Sequence, residues 1–364
     1  MVEQVLAAVS LEGLQTQIRE FNMPDVTEND GILYVEAVGV CGTDWPLYKN
    51  TKPPRILGHH VIGRIAKVGA YAARRWGVKE GDRVALEEYI PCGSCSFCRM
   101  GEYRMCPNTD LWTGTYRYGC SPISLKPSLF GGYSQYMYLH PETIMHKQPE
   151  HVPLEQAALA LPVSNGFDWA CVEGGASVGK TVVVQGPGQL GLSCVLAAKA
   201  SGADCVIISG LTADRHRLEL AKEIGADITV DVQQEDLKER VAEATGGQMA
   251  DLVIDCSAGG VSTIKQAIDV AKHKGTVLLG GYKHQPIPQF DSDDLIKKCL
   301  TIKGVRGHGY QSVEQAIAVI ASGKYPLHKL CTHSYGLAEV DYAMKTVGGQ
   351  GAKDAISGTV FPWK

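Results

Sequence analysis

Two patterns of apolar and polar positions divide the chain. Up to about Pro162, short apolar runs are separated by Gly and Pro turns. These runs include Ile32–Val40, Val61–Val68 and Tyr133–Leu139. Short runs that are rich in β-branched and aromatic residues and end at turn residues are typical of strands. The first part of the chain is therefore predicted to be a β-rich domain.

A regular alternation of strands and helices begins near Lys180. The strand-like runs are Thr181–Gln185, Cys205–Ser209, Ile228–Val232, Leu252–Cys256, Thr276–Gly280 and Leu300–Val305, and the helical segments between them include Leu192–Ser201, Arg215–Ile224 and Leu237–Thr245. Strands that alternate with helices form parallel sheets with the helices on both faces. The pattern predicts an α/β fold with a doubly wound, six-stranded parallel sheet.

The tail after about Val305 leaves this alternation. It carries two helical patterns and a last strand-like run, Val313–Ser322, Leu337–Lys345 and Ile356–Phe361. We expect the tail to return to the first domain.

Composition and charge limit the function classes. The chain has 364 residues, enough for about two domains; 45% are apolar, 20% are charged, and the net charge is −4 with no long run of either sign. This balance argues against nucleic acid or a membrane surface as the main partner. The longest uncharged stretch, Thr181–Ala198, is broken by a Gly/Pro turn, and no export signal is visible. The expected location is the cytoplasm.

Four cysteines lie close together in residues 91–107. They are Cys92, Cys95, Cys98 and Cys106, with the spacing Cys-x2-Cys-x2-Cys-x7-Cys. Four thiolates at such spacing fit a tetrahedral zinc site with no open position, which is structural rather than catalytic. Two disulfides or an iron–sulfur cluster are the rival interpretations. Disulfides fit poorly in a chain without export features, and clusters usually have a different final spacing.

A glycine-rich turn follows the first strand of the α/β part. The turn reads Gly186-Pro187-Gly188-Gln189-Leu190-Gly191 and opens a predicted helix. In this context the glycines allow a tight turn, close backbone approach to a pyrophosphate, and close packing of helix on strand. Free N–H groups at the helix start would face the phosphates. The motif predicts a dinucleotide site, and the alternative is an ordinary glycine-rich turn.

The end of the second strand bears on the choice of cofactor. An NAD site normally has Asp or Glu there, but this chain has Ser209 and Gly210. Arg215 and Arg217 follow and suit a 2′-phosphate, although both also fit a solvated helix face, and Asp214 is a possible displaced ribose ligand. The sequence favours NADP over NAD.

The order of motifs along the chain resembles that of the zinc-dependent medium-chain dehydrogenase (alcohol dehydrogenase) superfamily. The motifs are Cys41–Asp44, Gly58-His59, Gly81–Val84, the four-cysteine run, Gly132–Tyr136 and the glycine-rich turn. The resemblance implies a GroES-like catalytic domain from residues 1–165 and 306–364, with a zinc lobe at 91–107. It also implies a dinucleotide-binding Rossmann domain at 166–305, a small-molecule alcohol or carbonyl substrate, and a homo-oligomer, a dimer or a tetramer.

The same resemblance assigns roles to the first two motifs. Cys41 and His59 match two ligands of a catalytic zinc, which would act as a Lewis acid while hydride moves to or from the nicotinamide. Thr43 matches the hydroxyl that takes the substrate proton, and Asp44 matches the carboxylate that holds the histidine ligand. Without the motif context, these residues would be a core cysteine, a strand-end threonine and a helix-capping aspartate.

Three positions depart from the family pattern. His60 replaces a glutamate, Leu161 stands where relatives have a ligand, and Pro46 replaces a proton-relay histidine. His60 is therefore a candidate third ligand, provided that it and His59 are not both in a strand, where they would point to opposite faces. Cys120 is a more distant candidate, and Asp168 is a poor one because it lies too far along a helix.

The substrate is less specified. Aromatic residues surround the motifs, namely Trp45, Trp112, Tyr116, Tyr118, Phe130 and Trp169. They suggest a bulky or cyclic alcohol, but also fit packing of the lobe or a subunit contact. Two other functions stay open: a zinc-independent NADPH-dependent enone reductase and a non-catalytic nucleotide-binding protein. About two zinc ions per chain would favour the dehydrogenase, and about one would favour either rival.

Overall fold

The structure is a computed structural model that describes residues 4–258, 260–288 and 290–364. The chain forms two compact units. The first comprises the chain up to Leu161 together with Ile320–Ser322 and Leu330–Lys364, and the second comprises Pro162–Val319 and Gly323–Lys329. No helix among the described residues is long and apolar enough to cross a membrane.

The strands are, in chain order, β1 (Gln4–Leu11), β2 (Gln15–Asn22), β3 (Gly31–Gly39), β4 (Arg55–Ile56), β5 (His60–Val68), β6 (Arg83–Leu86), β7 (Tyr136–Leu139), β8 (Met145–Lys147), β9 (Thr181–Gln185), β10 (Cys205–Gly210), β11 (Ile228–Asp231), β12 (Ala250–Asp255), β13 (Ala271–Leu279), β14 (Thr301–Gly304), β15 (Cys331–Gly336) and β16 (Ser357–Phe361). The helices are α1 (Asp44–Lys49), α2 (Ala70–Trp76), α3 (Ser96–Arg99), α4 (Leu154–Ala157), α5 (Ala160–Phe167), α6 (Gln189–Ala200), α7 (Arg215–Ile224), α8 (Leu237–Ala244), α9 (Ser262–Val270), α10 (Asp293–Lys298), α11 (Tyr310–Ala321) and α12 (Val340–Val347). A π-helical segment, Asp168–Glu173, follows α5.

The first unit is β-rich, as predicted. Strands β15-β16-β3-β5-β6-β8 form a seven-stranded sheet together with β7, which pairs with β3, and β2-β1-β4 form a small second sheet. The core side chains, such as Leu33, Val35 and Val61, are almost completely buried. Strand β7 begins at Tyr136 rather than at Tyr133, because the backbone N–H of Tyr133 donates outside the sheet, to Leu57 O at 3.0 Å.

The second unit confirms the predicted doubly wound sheet. Its strand order is β11-β10-β9-β12-β13-β14, and every neighbouring pair is parallel. The central strand β9 is apolar, and Val182, Val183 and Val184 are fully buried. Because the strands are parallel, the carboxyl ends of β9, β10 and β12 lie at one edge of the sheet, where ligands bind in such folds.

The tail divides between the two units. Residues 306–319, which the sequence groups with the first domain, belong to the second unit. The reason is visible at the start of α11, where Gly309 N and Ser312 Oγ donate to Asp168 Oδ2 at 2.8 and 3.1 Å. From Leu330 onward the tail completes the first unit. There β16 pairs with β3, and a strand that the sequence pattern did not predict, β15, flanks β16.

Candidate active site and metal centres

The Cys41–Asp44 motif forms a tight turn between β3 and α1. Val40 N donates to Gly358 O at 2.8 Å, and Asp44 N donates to Cys41 O at 3.0 Å. Just before the turn, Gly39 pairs with His60 across the sheet. A side chain at Gly39 would not fit, because its Cβ would lie 2.9 Å from Ala158 O and 3.2 Å from His60 Cβ.

His59 and His60 are neighbours that both face the cysteine. Strand β5 begins at His60, so His59 precedes the strand, and the strand alternation that would send the two rings to opposite faces does not apply. One ligand atom each of Cys41, His59 and His60 lies within 4.8 Å of the others. The two rings meet edge to face, with their centroids 4.5 Å apart.

Asp44 is a fully buried carboxylate beside His59. Its Oδ1 lies 3.1 Å from His59 Nδ1, and its Oδ2 accepts hydrogen bonds from Cys41 N at 3.1 Å and Tyr133 Oη at 2.9 Å. Burial alone would raise the pKa of Asp44, but His59 and the Cys41 N–H bring it below its ordinary value. The carboxylate is therefore ionised and held in one orientation.

The charges around Cys41 favour the thiolate. Burial opposes ionisation, but His60 and His59 hold the pKa of Cys41 well below its ordinary value. For His59, burial acts to lower the pKa, while Asp44 and Cys41 raise it well above its ordinary value. A thiolate next to two imidazoles is a suitable donor set for zinc, which prefers sulfur and nitrogen ligands.

Thr43 lies next to these donors and is exposed to solvent. Its Oγ1 is 3.2 Å from Cys41 Sγ and 3.3 Å from His59 Nε2. Thr43 is thus an exposed residue whose hydroxyl lies beside two of the donors.

The donor set fits a zinc ion. His60 Nδ1 is buried and has no hydrogen-bond partner among the described residues, which is costly for an imidazole that has no other purpose. Three protein donors also leave a fourth position open, as in catalytic zinc sites.

The other candidate ligands differ in their surroundings. Cys120 does not belong to the group whose ligand atoms all lie within 4.8 Å of one another in the described part of the chain, and burial raises its pKa. Asp168 is engaged with the start of α11, and Leu161 is a buried aliphatic residue.

The four-cysteine lobe is compact. The sulfur atoms of Cys92, Cys95, Cys98 and Cys106 lie within 4.8 Å of one another. Backbone N–H groups point at two of them: Cys95 N lies 3.4 Å from Cys92 Sγ, and Cys92 N lies 3.3 Å from Cys106 Sγ. Four sulfurs in this arrangement fit a closed zinc site.

The lobe is tied to the sheet through buried polar groups. Tyr103 Oη donates to Glu87 Oε1 at 2.7 Å, and His146 Nε2 lies 2.8 Å from the same oxygen. Glu87 and His146 are fully buried or nearly so. The lobe therefore has a fixed attachment despite having few apolar residues.

A pocket at the carboxyl edge of the second unit's sheet encloses about 320 Å³. The glycine-rich turn, the end of β10 and the segment after β12 line it. At Gly186 (φ +94°), only glycine is relaxed, and at Gly191 a Cβ would lie 1.9 Å from Gly186 O. Glycines are therefore required where the turn meets the helix, as the motif predicts for close packing of α6.

The predicted cofactor residues divide into two groups. Four of them line the pocket: Gly186, Gly188, Ser209 and Gly210. The other four do not line it: Gln189, Leu190 and Gly191 lie in the first turn of α6, and Arg215 lies in α7. The Arg215 side chain is 84% exposed and pairs with Glu219 at 3.1 Å.

Arg217, which the sequence offers beside Arg215 as a partner for a 2′-phosphate, lines the pocket 3.5 Å from Asp214, the possible ribose ligand. Cys256, Ser257 and Ala258 also line it and were not among the candidates from the sequence. The helical period would have distinguished Arg217 from Arg215, since residues two apart on a helix face different directions. Cys256, Ser257 and Ala258 directly follow β12, and ligands bind at the carboxyl ends of parallel strands, so their position was the available signal.

The aromatic residues have different environments. Tyr118 and Phe130 are completely buried in the core of the first unit, and Trp112 is 60% exposed. Tyr118 and Phe130 are therefore packing residues and do not support a bulky substrate.

Comparisons with known proteins agree along most of the chain. Residues 27–150 match the alcohol dehydrogenase GroES-like domain family, and residues 190–322 match the zinc-binding dehydrogenase family.

Individual relatives cover nearly the whole chain. A "probable alcohol dehydrogenase" of Mycobacterium tuberculosis is 35% identical over 339 residues, 92% of this chain and 91% of that protein. The sorbitol dehydrogenase of Halalkalibacterium halodurans is 34% identical over 317 residues, 86% of this chain and 87% of that protein. Among solved structures, an alcohol dehydrogenase from Thermotoga maritima has a TM-score of 0.87 at 26% identity, covering 98% of this chain and 99% of that one.

Proposed function

The chain belongs to the zinc-dependent medium-chain dehydrogenase/reductase superfamily, and on that premise we propose that it transfers a hydride between an alcohol and NADP at a zinc held by Cys41, His59 and His60. The chain is a dehydrogenase; its metal ligands, its nucleotide and its substrate are the proposed part. The product is the aldehyde or ketone.

One observation carries the proposal: a thiolate and two imidazoles converge within 4.8 Å where the family has its catalytic metal. A zinc held there would supply the Lewis acidity that lowers the pKa of an alcohol, and a bound nicotinamide would supply the hydride acceptor. A histidine in place of the family's glutamate changes the net charge of the site but provides a good ligand. The lobe of residues 91–107 holds a second, structural zinc.

The surrounding residues of the chain have separate tasks. Asp44 fixes the His59 ring through Nδ1 and leaves Nε2 on the side of Cys41 and Thr43. The hydroxyl of Thr43, an exposed residue, lies beside the donors, and it takes the proton of the alcohol and passes it to water. This exit requires no histidine at position 46, where the chain has Pro46.

The nucleotide is proposed to bind in the second unit. The N-terminal turn of α6 presents N–H groups to the pyrophosphate, and Arg217 faces the 2′-phosphate at the end of β10. Asp214 also lines the pocket, and its carboxylate is partly neutralised by Arg217 at 3.5 Å.

Metal analysis of His60→Ala tests the function. The parent is expected to hold about two zinc ions per chain and to oxidise alcohols with NADP. His60→Ala is expected to hold about one and to lose at least 100-fold in kcat/KM, while NADP affinity stays at the parent's value, since the pocket lies in the other unit. Cys120→Ser is the matched variant, because Cys120 is the rival thiolate.

Two results would contradict the proposal. A parent with one zinc and reduction of enones would identify the zinc-independent reductase. If His60→Ala keeps two zinc ions and Cys120→Ser loses one, Cys120 rather than His60 is the third zinc ligand.

A further inference from the structure

We propose that Tyr133 is a positioning residue for the catalytic metal, acting through Asp44 on the orientation of His59. The inference rests on the proposed function, because it assumes that His59 is a zinc ligand. Tyr133 belongs to the Gly132–Tyr136 motif, to which neither the sequence nor the proposed function assigns a task.

The Tyr133 hydroxyl completes the hydrogen bonding of the Asp44 carboxylate. Oη donates to Asp44 Oδ2 at 2.9 Å, and both side chains are fully buried. Oδ2 also accepts the Cys41 N–H at 3.1 Å. With two donors on Oδ2, the carboxylate plane is fixed so that Oδ1 faces His59 Nδ1 at 3.1 Å.

The backbone around Tyr133 is attached to the segment that carries His59. Tyr133 N donates to Leu57 O at 3.0 Å, and Gly132 N donates to Gly58 O at 2.8 Å. On its other side, Tyr133 O accepts the N–H of Ala8 at 2.8 Å. The backbone that carries the Tyr133 side chain is therefore hydrogen-bonded to the residues directly before His59.

The Tyr133 ring lies against Gly58, the residue directly before His59. A Cβ at Gly58 would be 2.8 Å from Tyr133 Cδ1, and Gly58 has a φ of +87°. The glycine thus permits both the turn and the close approach of the ring. The Tyr133 ring contacts Gly58, which precedes His59, and the Tyr133 hydroxyl contacts Asp44, whose carboxylate lies beside the His59 ring.

Three consecutive contacts therefore connect Tyr133 to the metal position: Tyr133 to Asp44, Asp44 to His59, and His59 to the site shared with Cys41. Removal of the hydroxyl leaves Asp44 Oδ2 with one donor and frees the carboxylate to rotate. The His59 ring then loses part of its orientation, and metal affinity falls, since groups that orient a ligand typically contribute about 10- to 100-fold.

The test compares Tyr133→Phe with Tyr118→Phe. Tyr118 is also fully buried in the first unit, and its hydroxyl interacts with Thr143 Oγ1 at 2.6 Å and with His140 N at 2.9 Å. Zinc affinity is measured by chelator competition, and the visible spectrum of the cobalt-substituted protein reports the ligand geometry. For Tyr133→Phe, we expect a 10- to 100-fold weaker catalytic-site affinity and an altered cobalt spectrum. Lobe zinc stays bound, and Tyr118→Phe leaves both readouts at the parent's values.

A double-mutant cycle with Asp44→Asn separates positioning from general stability. If Tyr133 acts through Asp44, Tyr133→Phe adds little to the loss of affinity in Asp44→Asn. An unchanged metal affinity and cobalt spectrum in folded Tyr133→Phe would overturn the proposal, as would full additivity in the cycle. Lobe zinc and NADP affinity show whether the variants are folded. A parent that holds lobe zinc alone would instead overturn the proposed function, and with it the role of Tyr133.

Discussion

The position at which β5 begins decides what two adjacent histidines can do. His59 lies in the segment before the strand and His60 is its first residue. Inside a strand, neighbouring side chains would point to opposite faces. One residue of extra strand at this point would therefore separate two donors that now lie within reach of the same cysteine.

Two arginines in the first turn of α7 make the choice of nucleotide testable. We predict that Arg217→Met raises the KM for NADP about tenfold and leaves the KM for NAD nearly unchanged, because a charge-assisted contact with the 2′-phosphate contributes roughly 1.4 kcal/mol. Initial-rate measurements with both cofactors check this. Arg215→Met is the control, since that side chain is exposed and pairs with Glu219. Equal changes for NADP and NAD would show that the phosphate is bound elsewhere.

Gly210 is a less suitable position for the same question. A Cβ there would lie 2.8 Å from Pro187 Cγ in the glycine-rich turn. Any substitution at Gly210 therefore displaces the phosphate-binding turn as well as changing the charge. An altered cofactor preference in Gly210→Asp would have two explanations.

With zinc bound as proposed, the lobe is the part of the first unit that we expect to depend most on a metal. Helix α3 has four residues and the two neighbouring 3₁₀ segments have three each, so little of the lobe's order comes from secondary structure. Its sulfur atoms converge, and its attachment to the sheet runs through Tyr103 and Glu87. Loss of one thiolate should therefore affect stability before it affects chemistry.

We predict that Cys95→Ser lowers the free energy of unfolding by about 4 kcal/mol or more, because loss of a metal is among the mechanisms that give the largest effects of single substitutions. Activity per folded molecule should change little, because the lobe is separate from the Cys41 group. Thermal unfolding and zinc content measure the two effects. Cys299→Ser, at an exposed position, is the control. Equal stability of Cys95→Ser and the parent would contradict a structural metal.

Whether the bounds of a strand could be predicted depends on how its side chains are buried and on which groups its backbone bonds to. Strand β9 has the predicted bounds, Thr181–Gln185, because a fully buried parallel strand is a continuous apolar run. Strand β13 begins earlier than predicted, at Ala271, because its first residues pair at a register shift and carry the polar sequence Lys272–Gly275. Tyr133 precedes the strand predicted to include it, because its N–H bonds to Leu57.

Single side chains of the candidate site were predictable to different degrees. The four lobe cysteines are recognisable because metal ligands must have particular chemical groups at particular spacings. Cys41 and His59 were assigned only through the resemblance of their motifs to the family pattern. Tyr133 was missed as a site residue, and Arg217 was not distinguished from Arg215, because these roles depend on which group each side chain faces in the folded chain. The roles proposed for all of these residues stay predictions until the variants are measured.

At the scale of the whole molecule, the proposed ligands are divided between the two units. The proposed metal donors all belong to the first unit and the proposed nucleotide pocket to the second. Multidomain proteins commonly unfold in more than one step. A ligand that binds one unit is expected to stabilise that unit's transition most directly.

We predict that Trp363→Ala destabilises the first unit by about 2 kcal/mol, less than a fully buried tryptophan because the side chain is 41% exposed. The indole stacks on Tyr34 at 4.7 Å and donates to Val35 O at 2.9 Å. Calorimetry should show a lower first-unit transition, while NADP still raises the second. Trp112→Ala, at 60% exposure, is the control. If Trp363→Ala lowers only the temperature of the transition that NADP raises, Trp363 does not stabilise the first unit.

The pairing of β16 with β3 has a consequence for the order of events during synthesis. Val40 N, next to Cys41, donates to Gly358 O, and Thr359 pairs with Gly39. A ribosome releases Cys41, His59 and the lobe cysteines long before it makes the strand that borders them. The second unit, which ends at Lys329, is complete by then, so it is free to fold before the first unit does. Until then, the cysteine thiols of the first unit are accessible to oxidants and to other metal ions. Early binding of zinc by the lobe would protect the four lobe cysteines.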